Sequence, residues 1–334
     1  MISPAEVLAT TDWAELEHAY ENAADLPDQL ALLLSEDPDA AGDALGVLDA
    51  AVLHQGSIYS ATAPAARFVA SILNDPRTGI ECGTALPWDQ RVRPLRAALL
   101  EWLANVALSA AGDEEAYDEE AGESDPAVDA CRALRLELYR AVAPFLDDPT
   151  ASVHSAALHA AGQLLRASDL AEHRSALAHR LRESALGSAP VQRARIALTL
   201  AGWNLAPRDL LADPDPAVRA YAAIAPALDD DPLALAEVRA ALRDPAVADA
   251  WFDGEEIHQL HGWFRINLVA ALLRRTTTFE DVEQEASAVA RTVHPRGRAI
   301  GLGPMLQRAF PHPAGPLSPA QQRFRAILDE QPEA

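Results

Sequence analysis

With 334 residues, about a fifth of them alanine and only 5% aromatic, the chain has the length of two ordinary domains or one long repeat array, and its composition favours helix over sheet. Acidic residues outnumber basic ones 50 to 27, a formal charge of −23, and every basic residue is arginine. A field of that sign repels nucleic acid and anionic membrane. No apolar run reaches the ~20 residues of a membrane helix, and Met1-Ile-Ser-Pro-Ala-Glu6 lacks the basic-then-apolar pattern of a signal peptide, so a soluble cytoplasmic protein is expected.

The acid is concentrated at the front. Residues 1–125 hold 24 acids and 5 arginines, net −19, against 26 and 22, net −4, for residues 126–334. A cationic partner is therefore steered to the front third. Apolar periodicity predicts helices over 4–21 (with a break near Thr10), 27–35, 38–53, 63–73, 92–110, 126–146, 149–167 and 169–186. It continues over 190–205, 216–228, 232–242, 255–275, 279–293 and 318–330, while Gly297, Gly301, Gly303 and Pro304 interrupt 297–310. Asp-Pro occurs at 37, 75, 125, 148, 213, 215, 231 and 244. The carboxylate accepts orphan amides at a helix start and proline fits the first turn, so several of these steps open helices. Ser3-Pro4-Ala5-Glu6 and Ser318-Pro319-Ala320-Gln321 read as capping boxes.

Two stripes point to the core: Leu95, Leu99, Trp102, Leu103 and Val106, then Cys131, Leu134, Leu138, Ala141, Val142 and Phe145. Trp102 and Cys131 are expected to be buried. Between them, 113–125 carries eight acids among 13 residues and no base. It is read as a solvated loop, 111–125, or as a tether for an arginine-rich partner with Tyr117 as its anchor.

The segment Leu211-Ala-Asp-Pro-Asp-Pro-Ala-Val-Arg-Ala-Tyr-Ala-Ala matches Leu146-Asp-Asp-Pro-Thr-Ala-Ser-Val-His-Ser-Ala-Ala-Leu without a gap, 65 positions earlier. It resembles HEAT repeats, which carry L-x-D-P-x-x-x-V-R-x-x-A-x-x-A. Trp13, Leu16, His18, Tyr20 and Asp25-Leu-Pro, followed by Leu53-His-Gln-Gly-Ser-Ile-Tyr59, Ala61-Thr-Ala-Pro-Ala-Ala66 and Phe68-Val-Ala-Ser-Ile-Leu73, are similar to the opening repeats of actinobacterial HEAT-repeat proteins. The resemblance implies an all-α fold: one HEAT-like, armadillo-type α-solenoid over 1–334, about seven stacked antiparallel helix pairs, curved with a concave face. In that frame Gly56 makes a turn and Thr62 caps the next helix.

The catalytic inventory is thin. Glu255, His258 and His261 are the best metal candidate, because two histidines three apart share a helix flank. Yet His261 also falls in the stripe of Ile257, Leu260, Phe264, Leu268 and Leu272. The chain has no His-Glu dipeptide of the kind the HEAT-like di-iron hydroxylases use, and its charge opposes the HEAT-like DNA glycosylases. Cys82 has no neighbour in sequence to activate it. No catalytic residue and no cofactor are predicted. Binding candidates are His54, Gln55 and Tyr59 on a rim, and Arg132, Arg135, Arg193, Arg195 and Arg219 on helix faces, placed to grip carboxylates or phosphates. The competing reading makes them satisfied helix ends and a solvated charged face. The expectation is a non-catalytic scaffold for a protein or peptide partner, of accessory or immunity type in a bacterium. The alternative is an enzyme or small-molecule binder with a rim site, as in the HEAT-like phycobilin lyases.

Overall fold

A helix start leaves its first amides without partners, and the Asp-Pro steps answer that locally. The computed structural model describes residues 2–111, 125–253, 257, 264–294, 301–311 and 315–330. Asp37 accepts from the Asp39 amide at 3.1 Å, Asp125 from Ala127 at 2.8 Å, Asp215 from Ala217 at 2.8 Å and Asp231 from Leu233 at 2.9 Å. In each case proline stands in the first turn. Ser318 closes a full capping box with Gln321, whereas Ser3 accepts from Glu6 without the reciprocal bond. Asp148 differs from expectation. Its carboxylate accepts from Thr150 at 2.8 Å, closing a turn around Pro149, so the helix opens at Ala151.

The regular secondary structure of the described residues is helical apart from one short antiparallel pair, β1 (Glu81–Cys82) with β2 (Arg93–Pro94), and an isolated bridge from Glu17 to Asn22. The chain divides into two compact units, Met1–Ser175 and Ala176–Ala334. The first holds α1 (Pro4–Thr10), α2 (Leu26–Leu32), α3 (Pro38–Val47), α4 (Thr62–Ile72), α5 (Leu95–Ala111), α6 (Pro126–Ala133), α7 (Arg135–Val142) and α8 (Ala151–Leu164). The division falls within α9 (Ala171–Ala185). The second unit holds α10 (Pro190–Gly202), α11 (Pro216–Ala223), α12 (Pro232–Arg243), α13 (Pro245–Asp249), α14 (Phe264–Arg274), α15 (Glu283–Thr292), α16 (Gly303–Ala309) and α17 (Pro319–Asp329). None of these helices is long and apolar enough to cross a membrane.

Several predicted helices are cut shorter. The first stops at Thr10, α3 runs into a π-helical turn over Leu48–Val52, and 126–146 splits into α6, α7 and a 3-10 turn. After α10, Asn204 takes a left-handed conformation, φ 56°, which reverses the chain.

In the first unit α5 packs on α8, with α4, α6 and α3 around it. Leu95, Leu99, Trp102, Leu103 and Val106 are buried as the stripe predicts, but so are Ala97, Ala98, Leu100, Ala104 and Ala107. Only the face of Glu101, Asn105 and Leu108 is left partly open, so α5 is buried round most of its girth, as a core helix is. On α8, Val153, Ala156, Ala157, Ala160, Ala161 and Leu164 are all buried, and alanine lets α5 approach closely. In the second unit α11 lies between α10 and α12, and α12 continues onto α14 and α15. Tyr221 stacks on Phe264 there, ring centroids 3.8 Å apart. Cys131 and Cys82 are buried free thiols, and burial pushes Cys131 up to about 12. Neither has the lowered pKa of a nucleophile.

Candidate functional site

No arginine precedes Arg67, yet twelve acids do, and eleven of those are exposed. The exception is Asp49. The arginines that follow are paired within the chain, although Arg77 and Arg91 remain exposed. Arg67 pairs with Glu137 at 3.3 Å, Arg77 with Asp75 at 2.7 Å, and Arg93 with Asp89 at 2.7 Å. Arg91 reaches Asp89 at 2.9 Å, and Arg96 donates to the carbonyls of Leu73 and Asp75. The front of the first unit therefore presents carboxylates with few counter-charges.

Within that surface a pocket of about 420 Å³ is lined by His18, Tyr20, Asp25, Gly42, Asp43, Gly46, Val47, Ala50, Ala51, Ala85 and Leu86. Among the described residues it is lined by two carboxylates, Asp25 and Asp43, and by no arginine. Its floor is one face of α3 and the turn after it, where Gly42, Gly46 and Ala50 recur every four residues. One wall is the 83–86 loop, which can lie against α3 because Gly42 has no side chain. A Cβ there would sit 2.0 Å from the Gly83 carbonyl oxygen. Thr84 holds the loop's turn, donating to the Asp89 carbonyl at 2.7 Å. The opposite wall is the 18–25 loop. The Tyr20 amide donates to His18 Nδ1 at 3.2 Å, so the ring proton sits on Nε2, which lies 3.2 Å from Asp25. Tyr20 is 63% exposed, and its ring stands at a steep angle to His18 and to His54, 6.3 and 5.7 Å away. Neither imidazole covers it face to face.

Behind the loop, Arg91 and Arg93 bind Asp89 and Glu101, with Arg93 to Glu101 at 2.9 Å. Burial opposes the charge on Asp89, but its hydrogen bonds from Arg91 and Arg93 outweigh that and hold it at about 2. Asp49 is a third carboxyl near this network. Burial, then Asp89, raise it to about 6; Glu101 adds to the rise, and Arg93 and Arg91 oppose it. The folded state thus holds this proton more tightly than the unfolded chain does. Stability is lost as pH rises from 3.8 through about 6. Asp49→Asn is expected to raise stability by about 3 kcal/mol at pH 8 and to leave it unchanged near pH 4. Urea unfolding of both proteins at the two pH values checks this, and a gain at pH 4 as large as at pH 8 contradicts it.

The rim residues expected from sequence lie around the turn between α3 and α4, with His54 and Tyr59 half-buried and Gln55 exposed. His54 donates from Nδ1 to the Ala50 carbonyl at 2.9 Å, and it reaches the pocket only through Tyr20. Gln55 and Gly56 both have positive φ, 53° and 78°, making the expected turn. Thr62 is the first residue of α4 rather than its cap. Its hydroxyl accepts from the Tyr59 amide at 2.9 Å and donates to the Val52 carbonyl at 2.7 Å.

The arginine candidates are distributed over both units. Arg132 donates to the Ala110 carbonyl at the end of α5, and Arg135 is buried on α7. Arg193 and Arg219 converge on Asp213, one through its carboxylate at 2.7 and 2.9 Å, the other through its carbonyl at 2.9 Å. Arg219 also pairs with Glu237 at 3.1 Å, while Arg195 is half-buried on α10. The same use recurs elsewhere: Arg174 closes the end of α8, Arg275 that of α11 and Arg308 that of α14, each donating to backbone carbonyls. A guanidinium suits the orphan carbonyls and negative dipole end of a helix.

A second cavity, about 630 Å³, lies in the second unit between the end of α9, α10 and the Arg208–Ala212 turn. Ile196, Leu200 and Leu210 line it, and Arg182, Glu183, Arg193 and Asp209 give it mixed charge. Glu255, His258 and His261 lie outside the described residues, as does most of the acidic 113–125 tract. Among the described residues no group of three or more His, Cys, Asp or Glu is placed to hold a metal.

These features define an all-helical protein of two compact units, with arginine-stapled helix ends and an acidic, aromatic-walled pocket. No family model, curated protein or solved structure matches the chain.

Proposed function

We propose that the chain is a non-catalytic, HEAT-like helical-repeat protein that binds a cationic protein or peptide through its first unit. The observation that carries this is the run of eleven exposed acids before the first arginine, in a unit whose following arginines are engaged internally. Such a surface steers a basic partner and favours its arginines once it is bound. The repeat resemblance of 146–158 to 211–223 supports the interaction role, because stacked helical repeats present extended binding surfaces.

The test is fluorescence anisotropy of a labelled arginine-rich peptide with the full chain. Binding is expected at low ionic strength, weakening steeply at about 0.5 M salt as the Debye length falls. No binding in dilute buffer, or an affinity indifferent to salt, contradicts the reading. The cavity of the second unit favours one other reading, a small-molecule binder, since about 630 Å³ falls within the usual range of ligand pockets, about 300–1,000 Å³.

A further inference from the structure

We infer that the pocket under Tyr20 receives one arginine side chain of the cationic partner, and so selects among basic partners. This rests on the reading above and makes it specific. A uniformly acidic surface attracts any cation, but this pocket adds shape. Its floor at Gly42, Gly46 and Ala50 leaves room beside α3, and among the described residues Asp25 and Asp43 are the carboxylates lining it. Among the described residues no guanidinium lines it. The cavity of the second unit, by contrast, already contains Arg182 and Arg193.

Tyr20 decides the type of cation. A tyrosine ring that is mostly exposed and has no stacked neighbour suits a planar guanidinium, which stacks on the ring while its N–H fork reaches carboxylates. An ammonium offers a point charge without the plane. His18 fixes the loop that carries both groups, through the Tyr20 amide and the Asp25 carboxylate. Tyr20 and Asp43 are exposed, so replacing them leaves the core untouched.

The experiment compares Tyr20→Ala and Asp43→Asn with Asp12→Asn and Glu15→Gln, exposed acids outside the pocket lining, in the same anisotropy titration of the full chain. Tyr20→Ala and Asp43→Asn are each expected to weaken the arginine-rich peptide about three- to tenfold. The two control variants are expected to weaken it less than twofold in moderate salt. Exchanging every arginine of the peptide for lysine is expected to weaken binding to the wild-type chain and to abolish the effect of Tyr20→Ala. If the peptide binds the wild type but the pocket variants match the controls, or if lysine serves as well as arginine, the pocket assignment is overturned while the acidic-surface reading stands. If the wild type does not bind the peptide at all, the broader reading fails first.

Discussion

Arg193→Leu is expected to destabilise the second unit by about 3–5 kcal/mol, the usual cost of stranding a buried charge. Asp213 has a side chain only 5% exposed and is met by Arg193 on both oxygens, at 2.7 and 2.9 Å. Burial works against its charge, but the Arg193 hydrogen bonds and the Asp215 amide outweigh it and hold its pKa low. Removing the guanidinium leaves the carboxylate with the Asp215 amide, 2.9 Å away, and the more distant charge of Arg219, which bonds the Asp213 carbonyl rather than the carboxylate. Adding Asp213→Asn to Arg193→Leu removes the stranded charge and keeps an oxygen for that amide. The double variant should recover at least half of the loss in urea unfolding. An Arg193→Leu curve that superimposes on wild type would mean the pair is not structural.

Gly42→Ala and Gly46→Ala should move stability in opposite directions. Both lie within α3, where alanine is ordinarily better than glycine by roughly 0.5–1 kcal/mol. At Gly46 a Cβ meets the Leu86 side chain at 3.9 Å, an ordinary contact, so that gain should appear. At Gly42 the Cβ would stand 2.0 Å from a backbone oxygen, Gly83 O, which has no rotamer to yield. The 83–86 loop must lift, and overpacking of this kind costs about 1–3 kcal/mol, more than the propensity returns. Gly42→Ala should therefore lower the unfolding midpoint and also weaken the arginine-rich peptide, because a pocket wall has moved. Stabilisation by both substitutions would show that the loop does not lie where the structure places it.

Local chemistry was legible in the sequence. The carboxylates of Asp37, Asp125, Asp215 and Asp231 sit at helix starts, Gly56 makes a turn, and Trp102 and Cys131 are buried, because each depends on residues a few positions away or on a helical stripe. What needs distant partners was not. Arg132 and Arg193 look like free helix-face cations until the fold brings the end of α5 to one and Asp213 to the other. The pocket is assembled from 18–25, 42–51 and 85–86, three stretches with no shared periodicity. Its one signal in the sequence was the absence of any arginine before Arg67. Thr62 was misjudged because a hydroxyl beside a helix start can cap it or tie the preceding turn, and only the position of Val52 decides.

Hydrogen exchange of the full chain with and without the arginine-rich peptide locates the partner directly. Protection is predicted in residues 18–25, 42–51 and 83–89, with the second unit unchanged. Protection confined to residues 179–214, around the second cavity, would contradict the account.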